Sequence, residues 1–256
     1  MLKSARVGEW RVLCEAERAE ALLRLFERLV ADDWTGVERL EFASTTGRVF
    51  KIRTAAGTFV FKHERREHHS ADHRWQSFFF GSNTRRLIRA LDRAGARNFP
   101  AAEVFLAADR YRFGSVVESY LLAEFVEGET LGRVPGYREK YGAEVAALLA
   151  RLHAAGLVHG DVHERNFVLG AAGTPYAGRV VGIDLSGKRA TRYTRAEDRI
   201  RLRRTFGVEN PVRDLGARVF ELRVRLRNFF RRLRGRAEIN AELLLPAEGG
   251  KNGSPQ

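Results

Sequence analysis

The 256-residue chain has one cysteine, Cys14, one methionine, Met1, and six prolines. A lone cysteine excludes an intramolecular disulfide, so the fold must rest on its apolar core, and a reducing compartment suits it. No uninterrupted apolar run approaches the ~20 residues that a membrane-spanning helix needs. Met1 to Trp10 hold no apolar segment of the kind that opens a secretory signal. A cytoplasmic chain is therefore expected. Acidic residues are few beside basic ones, 32 Asp and Glu against 45 Lys and Arg, giving a net charge of +13. That surplus favours a polyanionic partner: nucleic acid, anionic lipid or a phosphorylated glycan. Composition alone does not choose among the three. No internal repeat is visible.

What is present supports a sizeable core. Hydrophobic residues make up 44% of the chain, enough for one domain or two lobes. Glu9 to Cys14 reads as a strand, and Glu15 to Val30 as a helix with Ala19, Leu22, Leu23, Phe26 and Val30 near helical spacing. Leu40 to Phe42, Arg48 to Arg53 and Thr58 to Lys62 read as an antiparallel meander, turning at Ser44–Gly47 and Ala55–Gly57. A helix follows over Ser82 to Ala94, with Leu87, Ile88 and Leu91 inward. Two strands come next, Glu103 to Tyr111 and Val116 to Phe125, and then a long helix over Tyr137 to Ala155.

The densest chemistry lies at His159-Gly160-Asp161-Val162-His163-Glu164-Arg165-Asn166-Phe167. Two short apolar runs come after it, Phe167–Leu169 and Arg179–Ile183, and the second is closed by Asp184-Leu185-Ser186-Gly187-Lys188. A carboxylate on a loop, an amide five residues on, and a second carboxylate after a hairpin suit phosphoryl transfer. One Asp takes the hydroxyl proton while the Asn and the other Asp hold Mg²⁺ against phosphates. Any one of these residues alone could be a cap or a turn residue; the joint arrangement is what carries the reading.

H-G-D-x-x-x-x-N followed by I-D resembles the protein-kinase-like and aminoglycoside-phosphotransferase-like enzymes. The string I-D-L-S-G-K with the G-D-x-H-x-x-N-F core resembles the lipopolysaccharide core heptose(II) kinases more closely. The resemblance runs from about Trp34 to about Arg236. It implies an α+β, bilobal protein-kinase-like fold, with an N-terminal antiparallel sheet lobe and a mainly helical C-terminal lobe. The expected divisions are 1–126 for the nucleotide lobe, 127–240 for the catalytic lobe, and 241–256 for a disordered tail. It further implies ATP and Mg²⁺ as cofactors, Asp161 as the catalytic base, Asn166 and Asp184 as metal ligands, and His159 as a brace. Lys62 would reach the nucleotide phosphates. Gly47 would let its turn approach them, though a plain hairpin turn is as good a reading. Backbone groups at Glu124 and Val126 would hold adenine. The implied acceptor is the second heptose of the lipopolysaccharide inner core, at its 4-hydroxyl, on the inner face of the inner membrane. Arg165 and Lys188 are candidates to meet acceptor phosphates.

Several features stay open. Kinases pair the strand lysine with a Glu on the following helix, but Ser82 to Ala94 contains none. His69 and His73 stand four apart in a polar stretch, a spacing that could hold a metal, although a solvated loop is favoured. Val212 to Arg234 reads as a helix whose stripe Leu215, Val219, Leu222, Leu226, Phe229 and Leu233 enters the core. Its arginines, Arg223, Arg227, Arg231, Arg232 and Arg234, would then face an anionic membrane surface. The competing functions are a kinase for the acidic Kdo sugar or another glycan, a protein kinase, and a non-catalytic basic module for lipid or nucleic acid. The protein kinase is disfavoured by the lack of an A-P-E segment. Nucleic-acid binding is not expected if the cleft is catalytic.

Overall fold

The structure is a computed structural model that describes residues 1–42, 48–55, 57–65, 82–94, 100–209, 214–235 and 237. Gly47 and its turn, His69 and His73, and residues 241–256 lie outside the described residues.

Among the described residues seven strands form one sheet: β1 (Leu2–Val7), β2 (Trp10–Glu15), β3 (Glu38–Phe42), β4 (Arg48–Thr54), β5 (Gly57–Arg65), β6 (Val104–Arg112) and β7 (Ser115–Glu124). Their order is β1-β2-β6-β7-β5-β4-β3, and each neighbouring pair is antiparallel. The sheet is buried on both faces because both faces carry apolar side chains. Helix α1 (Ala19–Val30) covers one side, burying Ala19, Leu22, Phe26 and Leu29 at helical spacing. There Trp10, Phe26 and Tyr120 meet edge to face, a geometry the ring quadrupoles favour. Helix α2 (Asn83–Ala94) covers the other side with Leu87, Ile88 and Leu91. Helix α1 starts four residues later than the periodicity suggests, because Glu15 is held in the β1–β2 ladder opposite Leu2. Strand β1 itself carries too little apolar pattern to be read from sequence.

The chain leaves β7 at Glu124 and enters a small sheet of β8 (Gly128–Thr130), β9 (Phe167–Gly170) and β10 (Val180–Gly182), in the order β10-β9-β8. Helix α3 (Tyr137–Ala154) buries Val145, Leu148, Leu149 and Leu152 beneath it. Helix α4 (Arg192–Phe206) follows, opened by a Thr191–Thr194 capping box and closed by Gly207 at φ 68°. Last comes α5 (Leu215–Leu233), capped by Asp214, whose side chain accepts from the Ala217 amide. The result is a sheet lobe joined to a mainly helical lobe, as the resemblance implies.

Helix α5 corrects the sequence expectation. Its buried residues are Gly216, Ala217, Phe220, Val224 and Asn228, packed with Ile200 and Tyr193 of α4. The stripe expected in the core faces outward instead: Leu222 is 57% and Phe229 51% exposed. The physical reason is that α5 carries two apolar stripes on opposite sides. The one that docks is built around small residues, which admit close approach. A Cβ on Gly216 would collide with the Arg192 carbonyl.

Candidate active site

Two loops make the centre of the site. The first, after α3, is Leu157 to Asn166. The second is Ile183 to Lys188, after β10. Backbone hydrogen bonds sew them together: Ser186 donates to the His159 carbonyl (2.9 Å) and Ile183 to the Asn166 carbonyl (2.9 Å). Gly160 makes this closeness possible. At φ 81° it adopts the left-handed region, and a Cβ there would strike the Ser186 hydroxyl. Gly187, φ 65°, plays the same part against the Asn83 carbonyl at the start of α2.

The first loop is hung from α4. Asp198 is fully buried and accepts from the backbone amides of His159 (2.9 Å) and Gly160 (2.8 Å), and from His153 Nε2 (3.0 Å). The next residue along is Asp161, whose position this anchor dictates. Asn166 Nδ2 donates to Asp161 Oδ2 (3.1 Å) and to its carbonyl (2.9 Å). Arg201 Nη1 donates to Asp161 Oδ1 (3.1 Å) while Nη2 holds Glu197 (3.2 Å). Both oxygens of Asp161 are therefore oriented by neighbours.

His159 is buried against Phe167, ring centroids 4.8 Å apart. Burial pulls its imidazole below the ordinary value, against the opposing pull of Asp198. The Asn166 backbone, at the far end of the same loop, is hydrogen-bonded to the ring and also opposes that fall. His159 thus braces the loop by packing, by its backbone amide and by this contact.

Asp184 sits at φ 60°, an uncommon left-handed conformation for a residue with a side chain, of the kind that clusters at functional sites. Lys62 Nζ lies 2.5 Å from its Oδ1. This answers which acid faces Lys62: α2 turns Leu87 and Leu91 to the cleft, and the carboxylate comes from the second loop instead. Lys62, Asn166 and Asp184 all line one cavity of about 1300 Å³. Its upper wall is Val49, Val60 and Leu121 of the large sheet, and its floor Val168 and Ile183. Apolar walls above and below suit a flat ring.

At the back of the cavity the chain runs through Glu124, Phe125 and Val126. The Glu124 side chain faces away from recognition. It accepts from the Tyr176 hydroxyl (2.8 Å) and the Glu103 amide (3.2 Å), and burial together with this carboxylate pushes the Tyr176 phenol up. The Glu124 carboxylate is therefore already engaged and leaves the backbone of this segment to face the cavity. The Glu124 amide already donates to Glu103 (2.8 Å).

The donor set fits a hard divalent cation. Mg²⁺ usually takes one or two carboxylates and completes its shell with water and phosphate oxygens. Asn166 spends its NH₂ on Asp161, which reserves its amide oxygen for a ligand. No group of three or more His, Cys, Asp or Glu that could cage a metal occurs among the described residues. Sequence reasoning missed Asp198 and Arg201. Both lie in a run of arginines whose buried side was not visible, although Thr191 and Gly207 mark a helix between them.

A family model described as "Lipopolysaccharide core biosynthesis protein (WaaY)" matches residues 1–236. It begins well before Trp34, consistent with β1 and β2 being integral to the sheet. The lipopolysaccharide core heptose(II) kinase WaaY of Escherichia coli is 32% identical over 215 residues, covering 83% of this chain and 90% of that protein. The protein of the same name from strain K12 is 35% identical over 134 residues, covering 52% and 55%. Among solved structures, WaaP in complex with acyl carrier protein matches with a TM-score of 0.51 at 21% identity, covering 91% of this chain and 95% of that one. That likeness speaks to the fold. With the family model spanning residues 1–236 and the kinase-like cleft in place, the chain belongs to the WaaY family of lipopolysaccharide core biosynthesis proteins and is a phosphotransferase.

Proposed function

We propose that this chain moves the γ-phosphoryl group of ATP to a heptose of the lipopolysaccharide inner core, at the 4-hydroxyl of the second heptose. One observation carries the reading: Lys62, Asn166 and Asp184 line the same cavity, and Asn166 is hydrogen-bonded to Asp161. Residues 1–126 supply the nucleotide lobe and 127–240 the catalytic lobe. Adenine lies between the apolar walls and meets the backbone at Glu124 and Val126. Lys62 orients phosphates. Asn166 and Asp184 would hold Mg²⁺, which when bound neutralises charge on the phosphates.

Asp161 accepts the proton of the attacking sugar hydroxyl and aims its oxygen at phosphorus. The new bond is O–P, the broken one joins the γ-phosphorus to the ADP oxygen, and ADP leaves. Arg201 and Asn166 fix the two oxygens of Asp161, so its geometry is set before the acceptor arrives. Arg201 acts through Asp161 and is a positioning residue. Arg165 and Lys188 are exposed beside these groups and meet phosphates of the acceptor. The acceptor is lipid-linked, so the enzyme works in the cytoplasm against the inner face of the inner membrane, and the anionic bilayer surface is its second partner.

The test is direct. Mg²⁺–ATP raises the melting temperature, and Asp184→Ala removes that rise. Labelled phosphate passes from ATP to deacylated core oligosaccharide, and mass spectrometry places it on the second heptose. A parent protein indifferent to Mg²⁺–ATP would reduce the chain to a binding module. Phosphate found on Kdo would move the acceptor.

A further inference from the structure

Helix α5 is amphipathic twice over. One side, Ala217, Phe220, Val224 and Asn228, is buried against α4. On the opposite side Leu222, Leu226, Phe229 and Phe230 are each about half exposed, at 57%, 48%, 51% and 54%. Leu215 and Leu233 extend this stripe to both helix ends, at 63% and 68% exposure. At roughly 100° per residue these side chains fall within an arc of about 100°. Arg218, Arg225 and Arg232 flank the arc along one edge, and Arg223, Arg227 and Arg234 along the other. A chain that keeps seven large apolar groups of one helix in water, Val219 included, has a reason outside its own core.

We infer that the outward face of α5 is an interfacial membrane helix, which lies in the headgroup region of an anionic bilayer with its leucines and phenylalanines inserted. The inference deepens the membrane contact proposed above and rests on that reading for its biological setting. Charge complementarity calls for an anionic surface, and an apolar stripe that runs the whole helix, from Leu215 to Leu233, calls for an extended plane of lipid. An arginine row along each edge of an apolar stripe is the arrangement that meets a plane of phosphates while the stripe enters the acyl boundary. A second copy of this chain would instead set these rows against identical rows. The sequence expectation had the arginines toward lipid and the stripe in the core; the structure places both on the outer half of the helix. The placement also has a catalytic consequence. Helix α4, on which α5 packs, carries Asp198 and Arg201, the two residues that hold the catalytic loop. Packed helices lie ~8–10 Å apart, so an α5 seated in headgroups keeps the loop close to a lipid-linked acceptor.

The experiment uses the full chain and vesicles of 30% phosphatidylglycerol in phosphatidylethanolamine, with pure phosphatidylcholine as the neutral control. The parent protein co-sediments with the anionic vesicles only. Leu222→Asp combined with Leu226→Asp lowers the partition coefficient by roughly 100-fold, since fully burying one leucine is worth about tenfold or more. A second variant, Arg218→Gln with Arg225→Gln and Arg232→Gln, also weakens binding and steepens no structural loss. Depth is read with Leu226→Cys carrying an environment-sensitive dye, Cys14 being buried and unlabelled; its emission shifts to the blue on anionic vesicles. Both multiple variants keep the Mg²⁺–ATP melting shift and full transfer to deacylated oligosaccharide, while transfer to vesicle-embedded acceptor falls. Loss of the transfer to deacylated oligosaccharide in the parent would instead count against the kinase reading. The inference is overturned if the double Asp variant binds vesicles as the parent does, or if the dye emission stays unchanged. It is equally overturned if light scattering shows a dimer that this variant dissociates, or if an acidic carrier protein, not lipid, blue-shifts the dye.

Discussion

Replacing Asp198 by alanine removes the peg from which the Leu157–Asn166 loop hangs, and its contacts set how large the effect is. The carboxylate is fully buried and accepts from two backbone amides, at 2.9 and 2.8 Å, and from His153 at 3.0 Å. Hydrogen bonds to a charged acceptor are roughly twice as strong as neutral ones. Leaving a buried N–H without an acceptor costs about 1–3 kcal/mol each. The His159 amide is buried and takes that full range, while the Gly160 amide and the His153 ring are half-buried and add ~1 kcal/mol each, which puts the loss at ~3–5 kcal/mol. At about 2–4 °C per kcal/mol for a chain near this size, the melting temperature drops by ~6–20 °C. Asn keeps one acceptor oxygen, so Asp198→Asn should lose about half as much. Asp161 directly follows Gly160, and a displacement near 1 Å at such a group costs on the order of 100-fold in rate. The assays are calorimetric melting and kcat on deacylated oligosaccharide, with hydrogen exchange at His159 and Gly160 as the local readout. An alanine variant within ~1 kcal/mol of the parent, turning over at the parental rate and with protected amides, would refute the argument that Asp198 positions the loop.

Two further outcomes follow from the same centre. Arg201→Gln should lower kcat ~10–100-fold while leaving the KM for ATP and the Mg²⁺–ATP melting shift unchanged, because its Asp161 partner is largely exposed and the pair adds little stability; steady-state kinetics with both substrates varied checks the split. The neutral His159 imidazole makes the fold acid-sensitive: with a folded value below the unfolded value near 6.5, only the unfolded chain takes up a proton as pH falls through 6.5. Stability therefore declines from pH 6.5 downward, by at most ~1.4 kcal/mol per unit from this group, and His159→Phe should flatten the urea-denaturation profile between pH 5.5 and 6.5.

Much of the candidate site was legible because its proposed residues lie close together in the sequence. Asp161 and Asn166 share one loop, and Asp184 follows a hairpin whose two short apolar runs announce themselves. Strands β4 to β7 were legible for a similar reason, since buried runs such as Phe59–Phe61 and Tyr120–Ala123 leave little ambiguity. What stayed hidden depends on contacts across the chain. Asp198 lies 38 residues beyond the Gly160 amide it accepts from, inside a helix so rich in arginine that its buried side is masked. Arg201 was one cation among many until its reach to Asp161 was seen. The partner of Lys62 was sought on α2, where the resemblance implies it, and came from the loop of Asp184. Helix α5 was placed correctly in the chain and turned the wrong way round. Periodicity reports that a stripe exists; with two stripes on opposite sides, only the packing of Gly216 and Ala217 against α4 decides which one is inside.

The tight fit of Gly160 on Ser186, and of Gly187 on Asn83, bears on how such an enzyme could change its acceptor over evolutionary time. Neither loop has slack: a methyl group at either glycine collides with a neighbour that is itself bonded into the machinery. Side chains at the rim, where Arg133, Arg165 and Lys188 stand in the open, can change without disturbing that interlocked centre.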